Sequence, residues 1–188
     1  MKMYKIALIT ILCFNCIVAM TQTTTDVERL VKNVLLWSDT TSIDLLPVIK
    51  KGNIYNGIDT IMVNQGIIQM QKTNLFSEQF IDDYKKLIYT INERLHNRYY
   101  DDWLVGDLPT FSFANDLNPW CNCQGYYADH IDIGITKENQ NNAETIYRIT
   151  IPYDFEFTVR IINQNGQWKI SYLSGFDYEA GIKKDVRE

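Results

Sequence analysis

Residues 144–177, ETIYRITIPYDFEFTVRIINQNGQWKISYLSGFD, decide the fold. Two runs rich in aromatic and β-branched residues flank Asn165-Gly166. That dipeptide is the best closer of a tight type I′ hairpin, because both central residues need positive φ. A third run, 144–151, precedes them across Pro152-Tyr153-Asp154. In the middle run Phe155, Phe157, Val159 and Ile161 alternate with Glu156, Thr158 and Arg160. In the last run Trp168, Ile170 and Tyr172 oppose Lys169 and Ser171. A period of two with charge on one side predicts antiparallel strands with one buried and one solvated face. Such a face needs a covering layer, and the only candidates upstream are helices. The expected class is therefore α+β: a curved antiparallel sheet of about four strands packed on N-terminal helices.

The longest of those helices is predicted from Ser77 to about Tyr100. Ser77 is a good N-cap, Glu78 suits the positive end of the helix dipole, and Phe76 and Ile81 stand at the staple positions. Phe80, Tyr84, Leu87, Ile88, Ile91, Leu95 and Tyr99 form one apolar stripe, expected to lie across the sheet. A first helix is predicted over 25–37, opened by a capping box at Thr25 and Glu28. Residues 43–72 show no clean period; a short helix over 43–51 is expected, then a strand or packed loop. Residues 101–125 read as irregular, broken by Pro109 and Pro119. They carry Trp103, Phe111, Phe113 and Trp120, too many large rings for a solvated loop. A first strand is expected over 126–136 and a polar turn over 137–142.

The chain begins with Lys2 and Lys5 ahead of the apolar run 6–12. This pattern predicts a secretory signal over residues 1–20, too short and interrupted to span a membrane, followed by one domain over 21–188. Cleavage is expected near Ile17-Val18-Ala19. Lipidation at Cys16 is the alternative; Phe14 and Asn15 disfavour it, because small residues are usual before a lipidated cysteine. The expected location is periplasmic or secreted. Loss of Lys2 and Lys5 moves the net charge of −5 two units further negative. An acidic exported domain argues against nucleic acid and anionic lipid as partners.

Four cysteines are present, of which Cys13 and Cys16 fall in the signal. Cys121 and Cys123 remain, and the count excludes a disulfide framework. A ring that small fits ordinary disulfide geometry poorly. The expectation is a pair of small, half-buried thiols, with a redox pair or half a metal site as alternatives. Only His96 and His130 are available as imidazole ligands, so no metal and no cofactor is expected.

Short motifs carry a resemblance. Phe76-Ser77-Glu78-Gln79-Phe80 opens the long helix, Asn118-Pro119-Trp120 with Cys123-Gln124 precedes the sheet, and Gly166-Gln167-Trp168-Lys169-Ile170 closes it. These resemble small exported bacterial domains of the nuclear-transport-factor-2-like superfamily. The resemblance implies a cone, or cystatin-like roll, with an apolar pocket. Asn118 and Gly125 stand where that group often carries Asp, which puts any site shared through those acids in doubt. The superfamily holds enzymes and binding modules alike, so fold does not choose function.

Candidate site residues follow from chemistry. Asp129-His130 is an acid–histidine neighbour pair, but adjacent strand residues face opposite ways. Arg148 and Arg160 either clamp a ligand carboxylate or stack on a cross-strand tyrosine at the solvent face. Trp103, Trp120, Tyr126 and Tyr127 either anchor a protein interface at the cone's open end or close that end. The expected function is a non-catalytic exported binding module whose partner is another envelope or exported protein, for instance a toxin-immunity or inhibitor protein. The alternative is a small-molecule binder or enzyme using the pocket, with His130 or Arg148 as its polar group.

Overall fold

The computed structural model describes residues 23–124, 132–141 and 144–184. The predicted signal, the first part of the expected first strand, and Tyr126, Tyr127 and His130 lie outside them. The elements are α1 (Thr24–Thr40), β1 (Val48–Lys51), β2 (Ile54–Ile58), α2 (Thr60–Thr73), α3 (Glu78–His96), β3 (Trp103–Leu104), β4 (Gly134–Gln140), β5 (Glu144–Ile151), β6 (Phe155–Gln164), β7 (Gln167–Leu173) and the short α4 (Tyr178–Gly181). The class is α+β with two antiparallel sheets, one of order β1-β2-β3 and one of order β4-β5-β6-β7.

The larger sheet is built as its sequence demands. Asn165 and Gly166 have φ of 56° and 78°, the positive pair that a type I′ turn needs, and Gln164 pairs with Gln167. Phe157, Val159 and Ile161 are buried on one face of β6, and Tyr147, Ile149 and Ile151 on the matching face of β5. In β7 the alternation breaks. Arg160 pairs with Tyr172, but Ile161 pairs with Ile170, so Ser171 is an extra residue. This bulge shifts the parity: Ile170 and Leu173 are buried, while Tyr172 turns to the side of Arg160. The Ser171 hydroxyl donates to the Arg160 carbonyl across the bulge (3.2 Å).

The helix from Ser77 roofs this sheet. The Ser77 hydroxyl accepts from the Phe80 amide (3.1 Å) and caps α3. Ile170 ties β7 to the segment before α3 through Leu75 O (2.9 Å) and Ser77 N (2.9 Å). Six residues of the expected stripe, Phe80, Tyr84, Leu87, Ile88, Ile91 and Leu95, are buried in one core with the sheet, as is the staple residue Ile81, whereas Tyr99 lies past the end of the helix and is exposed. Arg94 and Tyr100 both donate to the Ile182 carbonyl (2.8 and 2.9 Å) and fasten the C-terminal segment to the end of this helix.

Several boundaries differ from expectation. The α1 capping box is Thr23 with Asp26, and the helix runs to Thr40. Residues 48–58 form a β-hairpin turning at Gly52 (φ 65°), not a helix, because Pro47 and Gly52 leave no room for one. α2 was not anticipated. Asp59 caps it through the Ile61 and Met62 amides, and Asn74 ends it in the left-handed region. β4 starts at Gly134 and extends through Gln140, so the expected polar turn is largely strand. The α3 helix stops at His96 rather than Tyr100.

Candidate functional site

Trp103 and Trp120 do not form an exposed rim; both are buried. Trp120 packs among Trp37, Phe76, Phe80 and Phe176, with ring centroids 4.5–6.3 Å apart. Trp103 packs on Tyr55 and Phe111, and its indole N–H donates to the Asp107 carbonyl (2.9 Å). These rings seal the core, so the interface reading loses them. An exposed aromatic is found instead at Tyr153, 91 % exposed, with φ 70° in the turn between β5 and β6.

Arg148 is engaged on the solvent face of the sheet. Its Nε donates to Glu138 on β4 (2.7 Å), and a second ion pair reaches Glu156 (3.9 Å). It is therefore not free to clamp a carboxylate. Arg160 takes the stacking role: its guanidinium lies 4.5 Å from the ring centre of Tyr172, its cross-strand neighbour.

Cys121 and Cys123 correct a third expectation. They are joined as a disulfide and fully buried rather than half-buried free thiols. The backbone accommodates the small ring through a tight turn. The Asn118 amide donates to the Cys123 carbonyl (2.7 Å), and the Asn118 side chain accepts from the Trp120 amide (3.0 Å). Asn122 takes a positive φ of 52°. The turn thereby points Trp120 into the core. No set of three or more His, Cys, Asp or Glu side chains among the described residues is placed to hold a metal.

The polar concavity lies elsewhere, at the end of α3. A cleft of about 330 Å³ is lined by Lys51, Ile54, Tyr55 and Asn56 from the small sheet and by Leu95 and His96 from α3. Arg98, Tyr100, Asp101, Asp102 and Trp103 complete it from the following segment. His96 is exposed yet held on two sides. Its Nδ1 lies 2.8 Å from the Asn92 carbonyl, one turn back, so Nδ1 carries the proton and Nε2 is left open. Its ring also lies against Gly57, where an added Cβ would stand 2.7 Å from Cε1. The Asn92 side chain accepts from the Ile58 amide (2.8 Å) and joins helix to strand at this crossing.

Arg98 occupies a position normally given to glycine. The Tyr99 amide donates to the Arg94 carbonyl (2.9 Å) and the Arg98 amide to the Leu95 carbonyl (3.2 Å). This is the Schellman closure of α3, with Arg98 at the left-handed position (φ 53°). Asp101 is bound by Lys184 (2.8 Å). Burial holds the Tyr100 phenol above its ordinary range, with Arg94 acting in the opposite sense. Among the described residues, the Asn56 Oδ1 is buried without a hydrogen-bond partner. Sequence reasoning missed this cleft because its walls come from two stretches, 51–56 and 95–103, that lie far apart in the chain. The one local signal was Gly57 inside a strand, a mark of close backbone approach. Comparison with protein-family models, with curated proteins and with solved structures finds no match to this chain.

Proposed function

We propose that the protein is an exported, non-catalytic binding module that docks another exported or envelope protein through the outer face of α2. The observation that carries this reading is an apolar stripe left in solvent. Ile61 is 70 % exposed, and Met62 and Ile68 are also exposed, while Val63, Ile67 and Met70 on the other side of the helix are buried. Asn64 stands between Ile61 and Ile68 at helical spacing, and its side chain meets the Tyr89 hydroxyl of α3 (3.3 Å). Tyr89 is itself exposed, so the stripe continues onto a second helix. An exposed apolar patch marks an interaction site.

Export rests on the N-terminal signal pattern, and the Cys121–Cys123 disulfide fits an oxidising compartment. A toxin-immunity or inhibitor protein is one concrete form. The superfamily resemblance remains part of this reading, as the source of the expected cone. Photo-crosslinkers placed at Ile61 and Ile68 should trap the same partner from the native envelope, and one at Arg29 on α1 should not. Equal capture from all three positions, or from none, would reject the α2 face.

A further inference from the structure

α2 spans 14 residues and carries one charged side chain, Lys72, in its last turn. That is sparse for a chain that is 22 % charged with a net charge of −5. Along its outer side run Ile61, Asn64, Gln65, Ile68, Gln69 and Lys72, all exposed. A basic partner would be met by carboxylates and an acidic one by several cations, and this helix offers neither. Two copies of an acidic chain repel each other except where the meeting surface is neutral. We infer that the occupant of this face is the same face of a second copy, docked antiparallel about a two-fold axis between Asn64 and Gln65. The inference rests on the docking reading of α2 and names its partner.

The sequence of the helix is complementary to itself in that register. Ile61 lies level with Ile68 of the second copy, and by symmetry Ile68 lies level with its Ile61. Asn64 and Gln65 meet their counterparts near the axis, and an amide both donates and accepts, so amide opposes amide without mismatch. Tyr89 stands beside this centre, with its hydroxyl 3.3 Å from the Asn64 side chain, and supplies an aromatic anchor. The ends match as well. Asp59 caps α2 with Oδ1 alone, which takes both the Ile61 and Met62 amides. In the antiparallel register Lys72 of the second copy reaches to within about 3 Å of the level of Asp59, at about 1.5 Å of rise per residue. A lysine side chain spans that offset and can place its ammonium on the other carboxylate oxygen, once at each end of the pair. Two isoleucines, Met62 and Tyr89 from each copy make a small interface, which belongs to a weak and reversible dimer.

The test is sedimentation equilibrium of the full mature chain from about 10 µM to about 1 mM. The expected result is a monomer–dimer equilibrium with a dissociation constant of about 100 µM, weakened at least about tenfold by Ile61→Lys and by Ile68→Lys. Both positions are exposed, so the variants keep the fold, which far-UV circular dichroism checks. Cysteine cross-linking reads the register, because Cys121 and Cys123 are paired and leave no competing thiol. Gln65→Cys should link to itself, and Ile61→Cys should link to Ile68→Cys faster than to itself. A chain that stays monomeric at about 1 mM overturns the inference. So does a dimer that both lysine variants leave intact, or Ile61→Cys linking fastest to itself. A monomer whose photo-crosslinkers at Ile61 and Ile68 trap a different protein overturns the second copy and keeps the docking face. A monomer that traps nothing there, or that binds phosphatidylcholine vesicles through Ile68 instead, removes both.

Discussion

A Cβ placed on Gly57 would stand 2.7 Å from Cε1 of His96 and 3.3 Å from its Nε2. Gly57 thus sets how closely β2 approaches the end of α3. Its φ is ordinary, so the constraint is space rather than backbone conformation. Gly57→Ala should destabilise the fold by about 1–3 kcal/mol, because the ring is pinned by the Asn92 carbonyl and cannot retreat freely. The same substitution in a His96→Ala background should lose most of that effect. A double-mutant cycle in urea should return a coupling of about 1 kcal/mol or more. Simple additivity would show that the ring is not what Gly57 accommodates.

Arg98 carries a backbone strain that its side chain does not relieve within the described residues. A residue with a Cβ in the left-handed region loses about 1–2 kcal/mol per position relative to the right-handed one. Glycine escapes that term but loses more conformational entropy on folding. Arg98→Gly should therefore stabilise the protein by about 0.5–1 kcal/mol, read as a raised urea midpoint with unchanged slope. A lowered midpoint would mean that the guanidinium makes a stabilising contact that outweighs the strain.

What was legible in the sequence was whatever a local rule specifies. The hairpin at Asn165-Gly166, the cap at Ser77 and the stripe of α3 from Phe80 to Leu95 each follow from neighbours in the chain and stand; Tyr99, expected in that stripe, lies past the helix and is exposed. The bulge at Ser171 was not legible, because an inserted residue looks like ordinary alternation until its partner strand is known. α2 was missed because its apolar residues lie on both sides, one buried and one exposed, which erases the helical period. Trp103 and Trp120 were read correctly as rings too large for a solvated loop. Whether they faced in or out depended on packing partners such as Trp37 and Phe176, far away in sequence. The cleft was invisible for the same reason: Lys51, Asn56, His96 and Arg98 meet only after folding.

The tyrosines predict an alkaline limit to stability. Burial, followed by the nearby Asp177 carboxylate, pushes the Tyr172 phenol up to about 12. Its hydroxyl donates to Asp177 (3.1 Å), a bond that ionisation would destroy. Burial raises Tyr84 further still, with Asp44 adding to it, and its hydroxyl donates to the Leu45 carbonyl (3.0 Å). In the unfolded chain both ionise near pH 10. Between about pH 10 and 12 the unfolded state therefore binds fewer protons than the folded state, and stability falls as pH rises. The contribution is fully present below about pH 10. Urea midpoints measured from pH 8 to 12 should decline over the upper two units, and Tyr84→Phe should flatten the decline. A midpoint constant to pH 12 would refute the assignment.

The turn closed by Cys121 and Cys123 predicts two separable effects. The first is chemical. Protein unfolded without reductant should resist alkylation at both cysteines and weigh two hydrogens less than the reduced form. Replacing both with alanine should destabilise by about 1.5 kcal/mol, a modest loss because the closed loop is short. The second effect is steric and independent of redox state. A Cβ on Gly175 would stand 2.0 Å from the Pro119 carbonyl oxygen and 2.7 Å from its carbon. Both are backbone atoms of the segment that seats Trp120, so no side-chain rotation can relieve the clash. Gly175→Ala should destabilise by about 3 kcal/mol or more and shift Trp120 fluorescence to the red. Reduction alone should leave most of that fluorescence in place, because Trp120 is also held by Trp37, Phe76, Phe80 and Phe176. If reduction and Gly175→Ala moved the spectrum equally, the disulfide rather than the packing would be what keeps Trp120 in the core.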